Sequence, residues 1–137
     1  MNVAGLMPIG DTNNKGLIKG FIQTNEMTWY NIFSGSTDDY LYAIGEIDSY
    51  TNQPAAFICL DVGIYREEYS RIKIYKISKD NIHPIYGVAI KYIKTNSSLK
   101  LWVKGKCNLI ILSKSKSSFN IYNEEPPEDA IEVDLNS

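Results

Sequence analysis

The sequence is poor in the side chains on which most catalytic chemistry turns. Its 137 residues include one histidine, two cysteines and two arginines. A single imidazole, His83, removes multi-histidine zinc sites. Cys59 and Cys107 form neither a CxxC pair nor a zinc spacing, so two reduced, partly buried thiols are expected over a disulfide. No apolar run approaches the roughly 18 residues of a membrane span. The opening "MNVAGLMPIG" has no basic leader and no long apolar core, which excludes a signal peptide and points to a soluble protein kept inside a cell. GxSxG, HExxH, GxxxxGK[ST] and GxGxxG are all missing. So are solenoid-length repeats and any sustained helical stripe.

Isoleucine, at 19 residues the commonest type, and ten tyrosines take the place of those absences. β-Branched and aromatic side chains suit a pleated, half-buried surface. Short apolar runs between turn formers predict strands at Leu17–Gln23, Thr28–Phe33, Leu41–Ile47, Ala55–Tyr65, Arg71–Ser78, Ile85–Ile93, Leu99–Lys104, Asn108–Ser113, Phe119–Tyr122 and Ala130–Asp134. In "AAFICLDVGIY", Ile58, Leu60, Val62 and Ile64 share one face, with Phe57, Cys59 and Asp61 on the other. Ten such strands and no crossover helices predict an all-β fold, an antiparallel β-sandwich of jelly-roll-like type. Residues 1–24 read as a loop-like lead-in with the first strand, and residues 25–137 as the sandwich.

The stretch "LKLWVKGKCNLIIL" carries the strongest chemical suggestion. Cys107 sits close to Lys104 and Lys106, which could lower its pKa. A nucleophilic thiol needs a base within reach, and the only imidazole is His83, in a loop before Pro84. An architectural reading fits better. Leu99, Leu101 and Val103 fall on one face and Lys100, Trp102 and Lys104 on the other, with Gly105 turning the chain into a hairpin with "NLIIL". A structural Cys107 of this kind should tolerate serine within about 0.5 kcal/mol.

Charge is distributed in blocks. Residues 1–70 carry a net −6, residues 71–116 a net +10 and residues 117–137 a net −6. Lys100, Trp102 and Lys104 are the surface candidates for binding, since lysine interleaved with aromatics is what a single-strand nucleic-acid groove would show. Scarce arginine weighs against phosphate recognition. The flanking acidic blocks could instead cover the basic strands, within the subunit or from a neighbour. "DTNNKGLIKGFI" starts like a calcium loop at Asp11, Asn13 and Gly16, but Lys15 and Ile22 occupy ligand positions, so it reads as a turn. The acid pairs Asp38/Asp39, Glu67/Glu68 and Glu124/Glu125 read as solvated loop charge. Asn96 heads a glycosylation sequon. No metal, cofactor or catalytic residue is expected.

The order "TWYNIFSGS", "AAFICLDVGIY", "IYGVAIKYIKTNSSLKLWVKGKCNLIILS" and "PPEDAIEV" resembles the distal β-sandwich domains of bacteriophage tail and head fibres. The lead-in "GLMPIGDTNNKGL" resembles the stretch that joins a fibre shaft to its head, and the match covers roughly residues 28–135. This resemblance implies a virion structural protein, a fibre-head or decoration module without enzymatic activity, assembled in the host cytoplasm. It also implies a homotrimer that contacts other virion proteins and host-surface glycans. A bacterial carbohydrate- or cell-surface-binding β-sandwich is the alternative reading. A single-stranded nucleic-acid-binding β protein comes third, and a carboxylate-based glycosidase last.

Overall fold

The computed structural model describes residues 6–8, 17–24, 26–48, 55–65, 70–78, 84–95, 97–114 and 121–136. His83, Asn96, Phe119, Glu67/Glu68 and the calcium-like turn at residues 11–16 lie outside them. Eleven strands form: β1 (Leu6–Pro8), β2 (Leu17–Thr24), β3 (Trp29–Ser36), β4 (Tyr40–Ile47), β5 (Ala56–Gly63), β6 (Arg71–Ser78), β7 (Val88–Lys94), β8 (Ser98–Gly105), β9 (Cys107–Lys114), β10 (Tyr122–Asn123) and β11 (Ile131–Glu132). They make a six-stranded sheet in the order β1-β2-β9-β4-β5-β6 and a five-stranded sheet in the order β10-β3-β8-β7-β11. Every pairing is antiparallel. The expected all-β sandwich is the fold, and no helix occurs among the described residues.

Period-two alternation builds the core. Leu41, Ala43 and Ile47 of β4, Ile58, Leu60 and Val62 of β5, and Leu109 and Ile111 of β9 face inward from the larger sheet. Ile90 of β7 and Leu99, Leu101 and Val103 of β8 meet them from the smaller one. The side chains of these two inner faces interdigitate as in other sandwiches.

The expected hairpin at Gly105 is not formed. β8 belongs to the five-stranded sheet and β9 to the six-stranded one, so Gly105–Cys107 is a corner between sheets. The physical reason lies in the strand partners: β8 is hydrogen-bonded on its two edges to β3 and β7, and β9 to β2 and β4, so neither has an edge left for the other. Gly105 serves the corner with a φ of +107°, and a Cβ on it would lie 1.9 Å from the Gly87 carbonyl oxygen. Lys106 then donates its N–H to Gly87 O and accepts from Asp48 N at 2.8 and 2.7 Å. The corner is thereby tied to both neighbouring loops.

Two further departures concern strand details. β1 forms inside the stretch read as loop-like lead-in and pairs with β2. β2 itself pairs with β9 along eight residues, from Leu17 opposite Lys114 to Thr24 opposite Cys107. In β3 the register slips between Asn31 and Phe33. The extra residue, Ile32, is fully buried, and the bulge lets Trp29 and Asn31 face outward before it while Phe33 faces inward after it.

Candidate interaction surfaces

β8 presents Lys100, Trp102 and Lys104 on the outer side of the five-stranded sheet, as the alternation implies. In register, Trp102 lies between Asn31 of β3 and Lys91 of β7, and Lys104 lies beside Trp29. The Lys104 and Lys91 ammonium groups stand 4.7 and 5.3 Å from the Trp29 ring centroid, within the range of cation–π attraction. Both tryptophans of the sequence therefore share one cationic face.

At its two tryptophans that face is not open. β10 pairs with β3 at one edge of the sheet and β11 with β7 at the other. The chain from Asn123 to Ile131 must therefore cross four inter-strand spacings, about 19 Å, and eight residues reach about 26 Å when extended. The connection carries Glu124, Glu125, Pro126, Pro127, Glu128 and Asp129, and the burial of the outward-facing Trp102 and Trp29 puts it across the outer face as a strap. Glu124 N donates to Trp29 O at 3.2 Å, and Val133 N donates to Ile90 O at 2.9 Å. The Glu124 carboxylate accepts from Trp102 Nε1 at 3.0 Å and from Asn31 Nδ2 at 3.5 Å, with Lys100 Nζ at 3.9 Å. Trp102 is 1% exposed and Trp29 6%.

Trp102 thus departs from its expected place among the surface candidates. Lys100 and Lys104 keep partial exposure, but the indole between them is covered and its N–H is satisfied. The acidic block following the basic one in sequence also lies against it in space at Glu124. Sequence reasoning singled out neither Trp29, Asn31 and Lys91 nor Glu124 as partners of Trp102. The signal available for Glu124 was its position in an acidic, proline-containing segment after a basic one.

Beyond the strap, the same outer face holds an open depression of about 540 Å³ lined by Ser34, Ser36, Asp39, Thr95, Ser98 and Lys100, among others. Hydroxyls dominate its polar groups. The Asp39 carboxylate is held by Ser36, whose N–H donates at 2.8 Å and whose Oγ lies at 3.3 Å.

The outer face of the six-stranded sheet is different in kind. Ile110, Ile44, Cys59 and Tyr75 form one row across β9, β4, β5 and β6. Phe57 and Ile77 sit beside one another in the next row, and Tyr42 lies on the other side. Ile77 is 74% exposed and Ile110 62%. At one end Arg71 Nε donates to Asp61 Oδ1 at 2.8 Å, and this hydrogen bond raises the Arg71 pKa above its usual value.

Both cysteines are free, as expected. Cys59 points outward and Cys107 inward, so strand alternation itself keeps them apart. Cys107 is 2% exposed and belongs to the core cluster. Burial pushes its thiol from an ordinary 9.0 up to about 12, the opposite of an activated nucleophile. The expectation that serine costs almost nothing there is corrected by this burial, because an unpartnered hydroxyl in the core costs about 1–3 kcal/mol. A raised folded-state pKa also sets a pH dependence. The thiol's contribution is intact below about pH 9 and is lost as pH rises from 9 toward 12, at up to about 1.4 kcal/mol per pH unit. The check is the stability of wild type minus that of Cys107→Ala across that window. The wild type should lose more, and parallel curves would contradict a buried thiol.

Among the described residues, no group of three or more His, Cys, Asp or Glu side chains could hold a metal ion. The fold and these surfaces define a two-sheet antiparallel sandwich with one face covered at its tryptophans by its own chain and one left apolar. No family model matches the chain, and no curated protein matches it. Among solved structures it is similar to part of a tailspike protein, gp49 of the Acinetobacter baumannii bacteriophage Fri1, a capsular polysaccharide depolymerase. The TM-score is 0.44 at 12% identity, covering 90% of this chain and 22% of that one. The chain therefore spans about a fifth of that protein's length.

Proposed function

We propose that the chain is a virion structural module, a fibre-head or decoration domain of the bacteriophage type. It acts through shape and self-association, contacts host-surface glycans and catalyses no reaction. The observation carrying this reading is strand order. The segments on which the fibre resemblance rests fold as β3, β5, the run β7 to β9, and β11 after the proline-containing strap. Several weak sites in an assembled particle raise avidity without any new contact, so one shallow site per chain is sufficient. The depression lined by Ser34, Thr95 and Ser98 is the glycan contact in this reading, with Lys100 at its rim for acidic sugars.

A glycan array incubated with the full chain tests it, together with an assay for newly released reducing ends. The expected result is binding to a restricted set of surface polysaccharides, weakened at least tenfold by Ser98→Trp, which fills the depression. No reducing ends should accumulate. Absence of any binding, or steady release of reducing ends, would contradict the reading.

A further inference from the structure

We infer that the outer face of the six-stranded sheet is a self-association surface whose occupant is a second copy of this chain, related by a two-fold axis that reverses strand direction. This inference stands apart from the virion reading: the fibre resemblance implies three copies and assigns no surface to them, whereas the face described here closes at two.

The first observation is the contrast between the two outer faces. One is covered at its tryptophans by the chain's own strap. On the other, Tyr42, Ile44, Phe57, Tyr75, Ile77 and Ile110 are all exposed on adjoining strands. Scattered exposed apolar residues need no explanation, but a contiguous patch marks an interaction site.

The second observation is size. β2, β9, β4, β5 and β6 are each eight residues long and adjacent. Five such strands span about 24 Å by about 26 Å, on the order of 600 Å² in plan. Two copies face to face then cover about 1,200 Å² in plan, and corrugated side chains add to that figure. Stable protein interfaces start at this size.

The third observation is the arrangement of charge around the apolar rows. At one end of the face stands Glu46, to which Asn108 Nδ2 donates at 3.5 Å. At the other end stand Lys114, opposite Tyr40, and Lys73, opposite Asp61. A two-fold axis in the interface that reverses the strands sets the Glu46 end of each copy against the Lys73 and Lys114 end of its partner. Ile44 and Ile110, midway along the strands, then meet their own counterparts. Such a contact is self-complementary and closes on itself at two copies.

The experiment is the solution mass of the full chain by light scattering over a concentration series. It is run on wild type, Ile44→Lys, Ile110→Lys, Glu46→Lys, and Glu46→Lys combined with Lys114→Glu. All substituted side chains are at least partly solvent-exposed, and a dichroism spectrum verifies that each variant keeps the fold. Wild type is expected at twice the chain mass. Either lysine at Ile44 or Ile110 should weaken the pair at least tenfold. Glu46→Lys should weaken it less, and the charge exchange should restore it, because each copy supplies both partners. A monomer at every concentration would overturn the inference, as would a dimer indifferent to Ile44→Lys and Ile110→Lys. A mass of three chains would also overturn it while leaving the fibre reading in place, since that reading implies three.

Discussion

Replacing Trp102 with alanine is expected to remove about 3–5 kcal/mol of folding stability, the range for truncating a large buried aromatic. Domains are stable by about 5–15 kcal/mol in all, so this one change consumes a large share of the margin. Three losses combine. The indole gives up its packing between β3 and β7 on the strand at the centre of the sheet. Its N–H no longer reaches Glu124. The strap loses the surface against which it lies. Glu124→Ala probes the polar part alone and should cost about 1–3 kcal/mol, because the buried Trp102 N–H and Asn31 amide lose their acceptor. Urea denaturation of the three proteins measures both. A loss below about 1 kcal/mol in Trp102→Ala would mean that the indole is exposed.

The second large effect is at the corner between sheets. Gly105→Ala is expected to destabilise by more than about 2 kcal/mol. A φ of +107° is a conformation L side chains rarely adopt, and holding a residue there costs about 1–3 kcal/mol. The new methyl group would also press on the Gly87 carbonyl, which accepts the Lys106 N–H. Relief requires moving the turn that takes the chain from one sheet to the other. The same denaturation experiment reads the effect, with Gly87→Ala as a companion, since a Cβ there would lie 2.1 Å from Asp48 Oδ1. A neutral Gly105→Ala would contradict the corner geometry.

Strand positions were largely legible because alternation and turn residues are local signals. β6 has the expected limits, Arg71–Ser78, and the faces of β5 and β8 are as the alternation implies. Sheet membership was not legible. "GKC" serves a hairpin and an inter-sheet corner equally well, since both need glycine's freedom, and only the partners of β8 and β9 decide between them. The bulge at Ile32 was hidden because an apolar residue inside an apolar run carries no mark of its register. The cover over Trp102 comes from Glu124, 22 residues along the chain. Alternation correctly put Trp102 on the outer side with Lys100 and Lys104. It could not say that the outer side would be roofed, although the acidic block after the basic one pointed that way.

The central claim is that the chain's own acidic strap covers the tryptophans of its cationic face, leaving the hydroxyl-lined depression beside the strap open to a ligand and the apolar sheet face open to a second copy. Both tryptophans of the sequence lie under that cover, so their fluorescence reports on it without interference from elsewhere. Acrylamide quenching of the native chain, excited selectively at tryptophan, is the most direct measurement. The expected result is blue-shifted emission with quenching several-fold weaker than in the urea-unfolded chain. Red-shifted emission quenched as readily in the native protein as in the unfolded one would contradict the account.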